Sequence, residues 1–267
     1  MKWTKDAEKA IQKVPFFVRK KVKARVEEEA KKDGSEFVSL AHVKTARERF
    51  LTNMSTEIKG YQVDACFSEG GCPNAIVSGG IQKKIEEVLQ KEDLLGFLKN
   101  RADGEVRFHH EFKITVSDCP NACSQPQIKD IGIIAAKAPR LTGNECVRCM
   151  ECVRTCKENA ILFNEPDVFP ALDVARCVSC GQCITACPTE TLHAKKQGYR
   201  ILLGGKLGRH PRLASELTGI FTEEETLAIV NRCITYYKAE SGRGERFADL
   251  MARDGILLKE LIRPPAT

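Results

Sequence analysis

Apolar residues in the first fifty positions recur at helical spacing. Ala7, Ala10, Ile11 and Val14 form one stripe before Pro15 interrupts it. Phe16, Val18, Val22 and Val26 form a second, with Arg19, Lys20, Lys21, Lys23 and Arg25 largely off that face. Gly34 ends this run, and Ser39 is placed to cap a third helix through about Phe50. Residues 61–80 carry Cys66 and Cys72 among glycines and Pro73, a loop composition. A helix is expected from Ile81 to about Asn100, and short strands at Phe112–Val116 and Ile131–Ala135. Residues 141–197 read as a compact cysteine-rich insert. Beyond it come a strand at Tyr199–Leu203, a glycine-rich turn, and amphipathic helices at about Glu223–Ala239 and Glu245–Arg253.

A chain of 267 residues allows two or three small units around one sizeable core. No apolar run approaches the roughly 18 residues of a membrane span. The start, Met1-Lys2-Trp3-Thr4-Lys5-Asp6, has no apolar signal core, so a cytoplasmic location is expected. The net charge of +6 and the 6% aromatic content, with one Trp, give no argument for nucleic acid. They suit an acidic partner such as a small electron carrier or a polycarboxylate cofactor. Thirteen cysteines are the outlying number. In a chain with no sign of secretion they point to metal or redox chemistry rather than to disulfides.

Cys146-Val-Arg-Cys149-Met-Glu-Cys152-Val-Arg-Thr-Cys156 recurs as Cys177-Val-Ser-Cys180-Gly-Gln-Cys183-Ile-Thr-Ala-Cys187, offset by 31 residues at all four cysteines. Duplication of one cluster-binding half is the simplest account. Thiolates at the spacing C-x2-C-x2-C-x3-C wrap one 4Fe-4S cubane, and the fourth cysteine ligates the other cluster. One cluster is thus expected on Cys146, Cys149, Cys152 and Cys187, the other on Cys177, Cys180, Cys183 and Cys156. Pro188 follows Cys187 as in the bacterial ferredoxin pattern, and Lys157 stands at the equivalent place in the first half. Zinc sites pair two C-x2-C units over a longer gap, which two complete four-cysteine runs do not match.

Cys66 and Cys72 form a C-x5-C pair, and Cys119 and Cys123 a C-x3-C pair. Four thiolates again suffice for one cubane, making three. Cys233, within a helical run, reads as a core thiol.

The pair in Thr115-Val-Ser-Asp-Cys119-Pro-Asn-Ala-Cys123-Ser124, together with Cys66 and Cys72, resembles the siroheme/4Fe-4S half of sulfite and nitrite reductases. Asp130-Ile-Gly-Ile, Tyr199-Arg-Ile-Leu-Leu-Gly-Gly-Lys-Leu-Gly-Arg-His-Pro and Glu245-Arg-Phe-Ala-Asp249 are similar to the same family. An inserted ferredoxin resembles its dissimilatory branch. The resemblance covers roughly residues 60–260. It implies an α+β fold, a mixed sheet flanked by helices, with a bacterial-type ferredoxin domain inserted. It also implies that Cys66, Cys72, Cys119 and Cys123 hold the cubane and that Cys123 is the proximal ligand of the siroheme iron. Ser117, Asp118, Asn121 and Ala122 would line the macrocycle. Cations for its carboxylates would come from among Lys129, Lys137, Arg140, Arg200, Lys206, Arg209 and Arg212, with Lys206 and Arg209 favoured by their place in the glycine-rich turn. His210 reads as a turn or packing residue.

Residues 3–48, through Trp3, Ala7, Ala10 and Val14-Pro-Phe-Phe-Val-Arg19, resemble the small carboxy-terminal domain of the light-independent protochlorophyllide reductase B subunit. Full sulfite reductases have a leading half before the first cysteine pair; here 65 residues precede Cys66. Arg19, Lys23, Lys44, Arg47, Arg49 or a second copy of the chain would then supply the distal anion pocket. The expected domains are 1–50, helical and protochlorophyllide-reductase-like; 51–140 and 198–267, the two parts of the siroheme/4Fe-4S domain; and 141–197, the ferredoxin insert. The expected activity is reduction of sulfite to sulfide, or of nitrite to ammonia, with electrons from a donor such as a ferredoxin. A homo-oligomer is compatible with this. The alternative is a non-catalytic electron-transfer protein with three clusters.

Overall fold

A computed structural model describes residues 1–14, 16–66, 71–76, 80–102, 104–164 and 166–253; side chains 16–18, 20, 21 and 49–57 lie outside the description. The chain divides into two compact units, Met1–Lys59 and Gly60–Thr267. All of the net charge of +6 belongs to the first; from residue 60 onward lysines and arginines equal aspartates and glutamates in number.

In the first unit, β1 (Lys2–Trp3) pairs in parallel with β2 (Phe37–Val38), and three helices follow the expected stripes: α1 (Lys5–Gln12), α2 (Phe16–Lys32) and α3 (Leu40–Glu57). The Thr4 hydroxyl accepts the Ala7 amide at the start of α1, and Ser39 and His42 close a reciprocal cap on α3. Ala7, Val26, Ala30 and Val38 form the core, with Trp3, Val22 and Val43 packed against it. Arg19 donates to the carbonyls of Gln12 and Val14, so it ties off the end of α1. Lys23 lies over the Trp3 ring. Lys44 and Arg47 are exposed, and the side chains of Val18 and Arg49 fall outside the described residues.

The second unit is built on a five-stranded sheet. Its strands are β3 (Tyr61–Ala65), β4 (Phe112–Ser117), β5 (Ile131–Leu141), β8 (Leu192–Leu203) and β9 (Ser215–Glu216), in that spatial order. β3, β4 and β5 run parallel; β8 lies antiparallel to both β5 and β9. The segment read as loop from residue 61 therefore begins with a strand. Tyr61, Gln62 and Val63 are half-buried and Asp64 and Ala65 exposed, an edge strand whose alternation is too weak to read locally. The expected helix over 81–100 is two helices, α4 (Ile81–Gln90) and α5 (Leu94–Arg101). Asp93 breaks them by taking φ 40° and capping the Gly96 amide.

Alternation sorts the sheet into two faces. Ile131, Ile133, Ala135, Tyr199, Ile201 and Leu203 face the side covered by α4, α8 (Glu223–Glu240) and α9 (Phe247–Arg253). Phe112, Tyr237 and Phe247 meet there at centroid separations of 5.2–6.0 Å. Cys233 is fully buried in this core, as its place in the helical run implied. The opposite face carries Thr115, Ser117, Gly132 and Ile134 and is closed by the loop that holds Cys119 and Cys123. A Cβ on Gly132 would overlap the Pro126 carbonyl, so only glycine lets that loop lie flat on the sheet.

The family-like segments around Asp130 and residues 245–249 meet in space. Asp130 is buried, accepts the Lys113 amide at 2.9 Å and pairs with Arg246 at 3.2 Å. Burial pushes its carboxyl up, and Arg246 and the Lys113 amide pull it part of the way back. Lys206 pairs with Asp249, and Arg212 donates to the Ala248 carbonyl at 2.9 Å. The tail thus locks the lower end of β4, β5 and β8.

Candidate redox-cluster sites

The parallel register brings the first site together. Ala65 pairs with Val116, so the chain leaves β3 at Cys66 and β4 at Ser117-Asp118-Cys119 along the same edge. Cys66 donates its amide to the Val116 carbonyl, and the Asp118 amide donates to the Cys66 sulfur at 3.3 Å. The Ile76 amide, donating to the Asp118 carbonyl at 2.7 Å, holds the segment after Cys72 against the same strand end. After Cys119 the backbone turns tightly, with Ala122 at φ 54° and Gln125 at φ 59°. Ser124 pins this turn to the sheet through the Ser117 hydroxyl at 2.6 Å and the Val116 carbonyl at 2.9 Å. Burial pushes the Cys119 thiol up, the Asn121 amide pulls it part of the way back, and the neighbouring Cys72, Cys123 and Cys66 push it up again. A cationic metal centre would favour the thiolates of such a group. Cys72, Cys123 and Asn121 are exposed, whereas Ser117 and Asp118 are buried and Ala122 is half-buried.

The insert hangs from the far end of the β5–β8 ladder, where Leu141 pairs with Leu192. It holds two short helices, α6 (Glu151–Thr155) and α7 (Gln182–Ala186), and a two-stranded sheet of β6 (Ile161–Leu162) and β7 (Ala171–Leu172). The repeat extends to the backbone. Arg148 and Ser179, Met150 and Gly181, and Asn159 and Glu190 are pairs at the cysteine offset, and all have positive φ, between 50° and 72°. Each thiol loop thereby curls around a cavity. One is lined by Cys146, Cys149, Cys152 and Cys187, the other by Cys156, Cys177, Cys180 and Cys183. In each, three neighbouring cysteines are joined by one from the other half.

Burial and the Cys180, Cys177 and Cys156 sulfurs push Cys183 up to about 12. Cys152 is raised likewise, by burial and then by Cys187, Cys146 and Cys149. Cys187 goes the other way. Burial raises it, but the Leu192 and Thr189 amides and the Thr189 and Thr191 hydroxyls outweigh that. The Ala160 amide donates to the Cys156 sulfur at 3.3 Å. Among the described residues, no three Cys, His, Asp or Glu side chains close on a single metal ion.

Lys206 and Arg209 are placed apart from these thiols. Lys206 follows Leu203, which pairs with Ile131 at the lower end of β5, while Cys119 follows Ser117, which pairs with Ile134. Arg209 and His210 are exposed. Lys129 pairs with Asp64 at 2.7 Å and Arg200 with Glu216 at 2.6 Å, and Lys137 lies against the insert. The Asp130–Arg246 and Lys206–Asp249 pairs escaped the sequence reading, although the segments holding them were singled out.

The sheet, the strand-end thiols and the loop folded over the sheet define a mixed α+β redox-cluster protein. A family model, the nitrite and sulphite reductase 4Fe-4S domain, matches residues 81–259, and the chain belongs to that family. A second model, the proto-chlorophyllide reductase 57 kD subunit, matches residues 3–47. The coenzyme F420-dependent sulfite reductase of Methanocaldococcus jannaschii is 34% identical over 148 residues, covering 55% of this chain and 23% of that protein. The C subunit of the anaerobic sulfite reductase of Salmonella typhimurium is 26% identical over 133 residues, covering 48% of this chain and 38% of that protein. The chain therefore matches well under half the length of either relative. Among solved structures, dissimilatory sulfite reductase I aligns at 17% identity with a TM-score of 0.48, over 82% of this chain and 58% of that one. Among the described residues no helix is long and apolar enough to cross a membrane.

Proposed function

We propose that this chain is a siroheme/4Fe-4S oxidoreductase that reduces sulfite, or nitrite in second place, with electrons relayed through two ferredoxin-type clusters. The observation that carries the reading is the convergence of Cys66 and Cys119 at adjacent parallel strand ends, with Cys72 and Cys123 within electrostatic reach, in a chain of this family. The donor set fits a cubane: sulfur alone, four per site, at three sites. A cubane keeps its thiolates at its corners, farther apart than the ligands of one ion, so no tighter convergence is needed.

Cys66, Cys72, Cys119 and Cys123 hold the first cubane. Cys123, exposed at the turn beyond Ala122, is the thiolate left open to a macrocycle iron. Siroheme, held there by Cys123, would supply a redox-active iron for the substrate. Ser117 and Asp118 stiffen the wall below it, and Asn121 and Ala122 form its rim. The insert's two cubanes, on Cys146, Cys149, Cys152 and Cys187 and on Cys177, Cys180, Cys183 and Cys156, accept electrons from a small donor protein. The first unit carries the chain's whole positive excess, which suits an acidic donor or partner protein.

Protein purified without oxygen tests this reading by visible spectrum, iron and sulfide content, tetrapyrrole extraction and turnover of sulfite and nitrite with a reduced viologen. A Soret band with a red band and sulfide production are expected. Iron and sulfide without an extractable macrocycle leave an electron-transfer protein with three clusters and no reductase.

A further inference from the structure

Among the described residues, the hydrogen bonds that join the insert to the sheet come from its second half. The Lys137 amide donates to the Ser179 carbonyl at 2.7 Å, and Lys137 and Cys180 form a parallel bridge. Gln182 Nε2 donates to Asn74 Oδ1 at 3.0 Å, two residues past Cys72. Between these groups lies a polar cavity of about 420 Å³ bordered by Asn74, Ile76, Lys137, Cys180, Gln182 and Thr185.

The Lys137 stem runs along Gly181; a Cβ there would stand 3.0 Å from Lys137 Cβ and Cδ. Among the described residues Lys137 has no carboxylate partner. The other charges around the second-half thiols are balanced: Arg200 is taken by Glu216, and Glu158 and Lys195 line the cavity of those thiols with opposite sign. In the first half, Arg154 is held by Glu151, and Arg148, which lines that cavity, lies over the Phe163 ring. A reduced cubane carries one more negative charge than an oxidised one, so a nearby uncompensated cation favours the reduced form and raises the potential.

We propose that the second half of the insert is the electron exit: the cubane on Cys156, Cys177, Cys180 and Cys183 hands electrons to the strand-end cubane across the Gln182–Asn74 contact, and Lys137 is the positioning cation that draws them there. The step moves one electron. The second-half cubane is oxidised, the strand-end cubane is reduced, and no bond or proton changes hands. The first-half cubane is then the entry point. This rests on the three-cubane reading given above.

Redox titration of the anaerobic holoprotein, followed by electron paramagnetic resonance, tests it. Lys137→Gln is expected to move one potential to a more negative value, the one whose signal disappears in Cys180→Ala, while Lys137→Arg stays close to native. If Cys180→Ala does not fold, Cys149→Ala assigns the signals by subtraction. Freeze-quench of Gln182→Leu is expected to show the second-half cubane reduced at the native rate and the strand-end cubane lagging several-fold. Unmoved potentials, or a shift in the cubane lost from Cys149→Ala, overturn the inference. Iron and sulfide short of three cubanes overturn the cluster reading beneath it instead.

Discussion

The two halves of the insert share one thiol spacing and one backbone path, yet they sit in different surroundings. The half beginning at Cys146 faces outward, with Val147 59% exposed, Arg154 held by Glu151 and Arg148 over the Phe163 ring. The half beginning at Cys177 lies against β5, with Cys183 buried and Lys137 across its loop. The first half has Met150 where the second has Gly181, both left-handed. The difference follows from the neighbour: a Cβ at Gly181 would stand 3.0 Å from the Lys137 stem, tighter than ordinary contact. Two loops of one spacing and one backbone path are thus made unequal by the docking of one of them on the sheet.

Iron removal should break the comparison most thoroughly. The insert's own core is little more than Ile161, Cys183 and Leu192, so the proposed clusters would carry much of its stability. Chelation under reducing conditions is expected to abolish amide protection across 142–191 while β4 and β5 keep theirs; hydrogen exchange reads both. Next comes Cys183→Ser against Cys146→Ser. Each should lose one cubane by iron analysis, and the first should also loosen the contact with β5. Gly181→Ala is expected to destabilise the holoprotein by about 1–3 kcal/mol through overpacking against Lys137. Met150→Gly should stabilise it by about 1 kcal/mol, because glycine bears the left-handed conformation without strain. Thermal unfolding with clusters intact measures the pair, and equal signs would remove the asymmetry. The smallest effect is expected from Thr191→Val. Losing its hydroxyl near Cys187 should cost about 1 kcal/mol or less and shift the first-half potential alone.

What the sequence disclosed follows the range of each interaction. Thiol spacing is local, so the repeat of the two thiol loops could be read directly, and its offset reappears in the backbone angles of Arg148/Ser179 and Met150/Gly181. Helical stripes around Ala7, Ile11 and Val26 were equally plain. The strand at Tyr61–Ala65 was hidden because its neighbours, not its own pattern, hold it in the sheet. β5 and β8 run past their apolar stretches, through Lys137–Arg140 and Lys195–Gln197, because the antiparallel ladder continues beyond the core. The Asp130–Arg246 pair spans 116 residues, and no local pattern announces it. Sequence could nominate cations for a macrocycle; only the register showed Lys206 at the other end of the sheet, already engaged with Asp249.

The rung at Leu141 and Leu192 has an evolutionary consequence. Some fifty residues leave and rejoin the sheet at a single pair, so the ladder below is threaded as a plain hairpin would be. A segment attached in this way can be gained, exchanged or discarded by one recombination event at a turn, with no strand rerouted. Related chains are then expected to differ most sharply at this one joint.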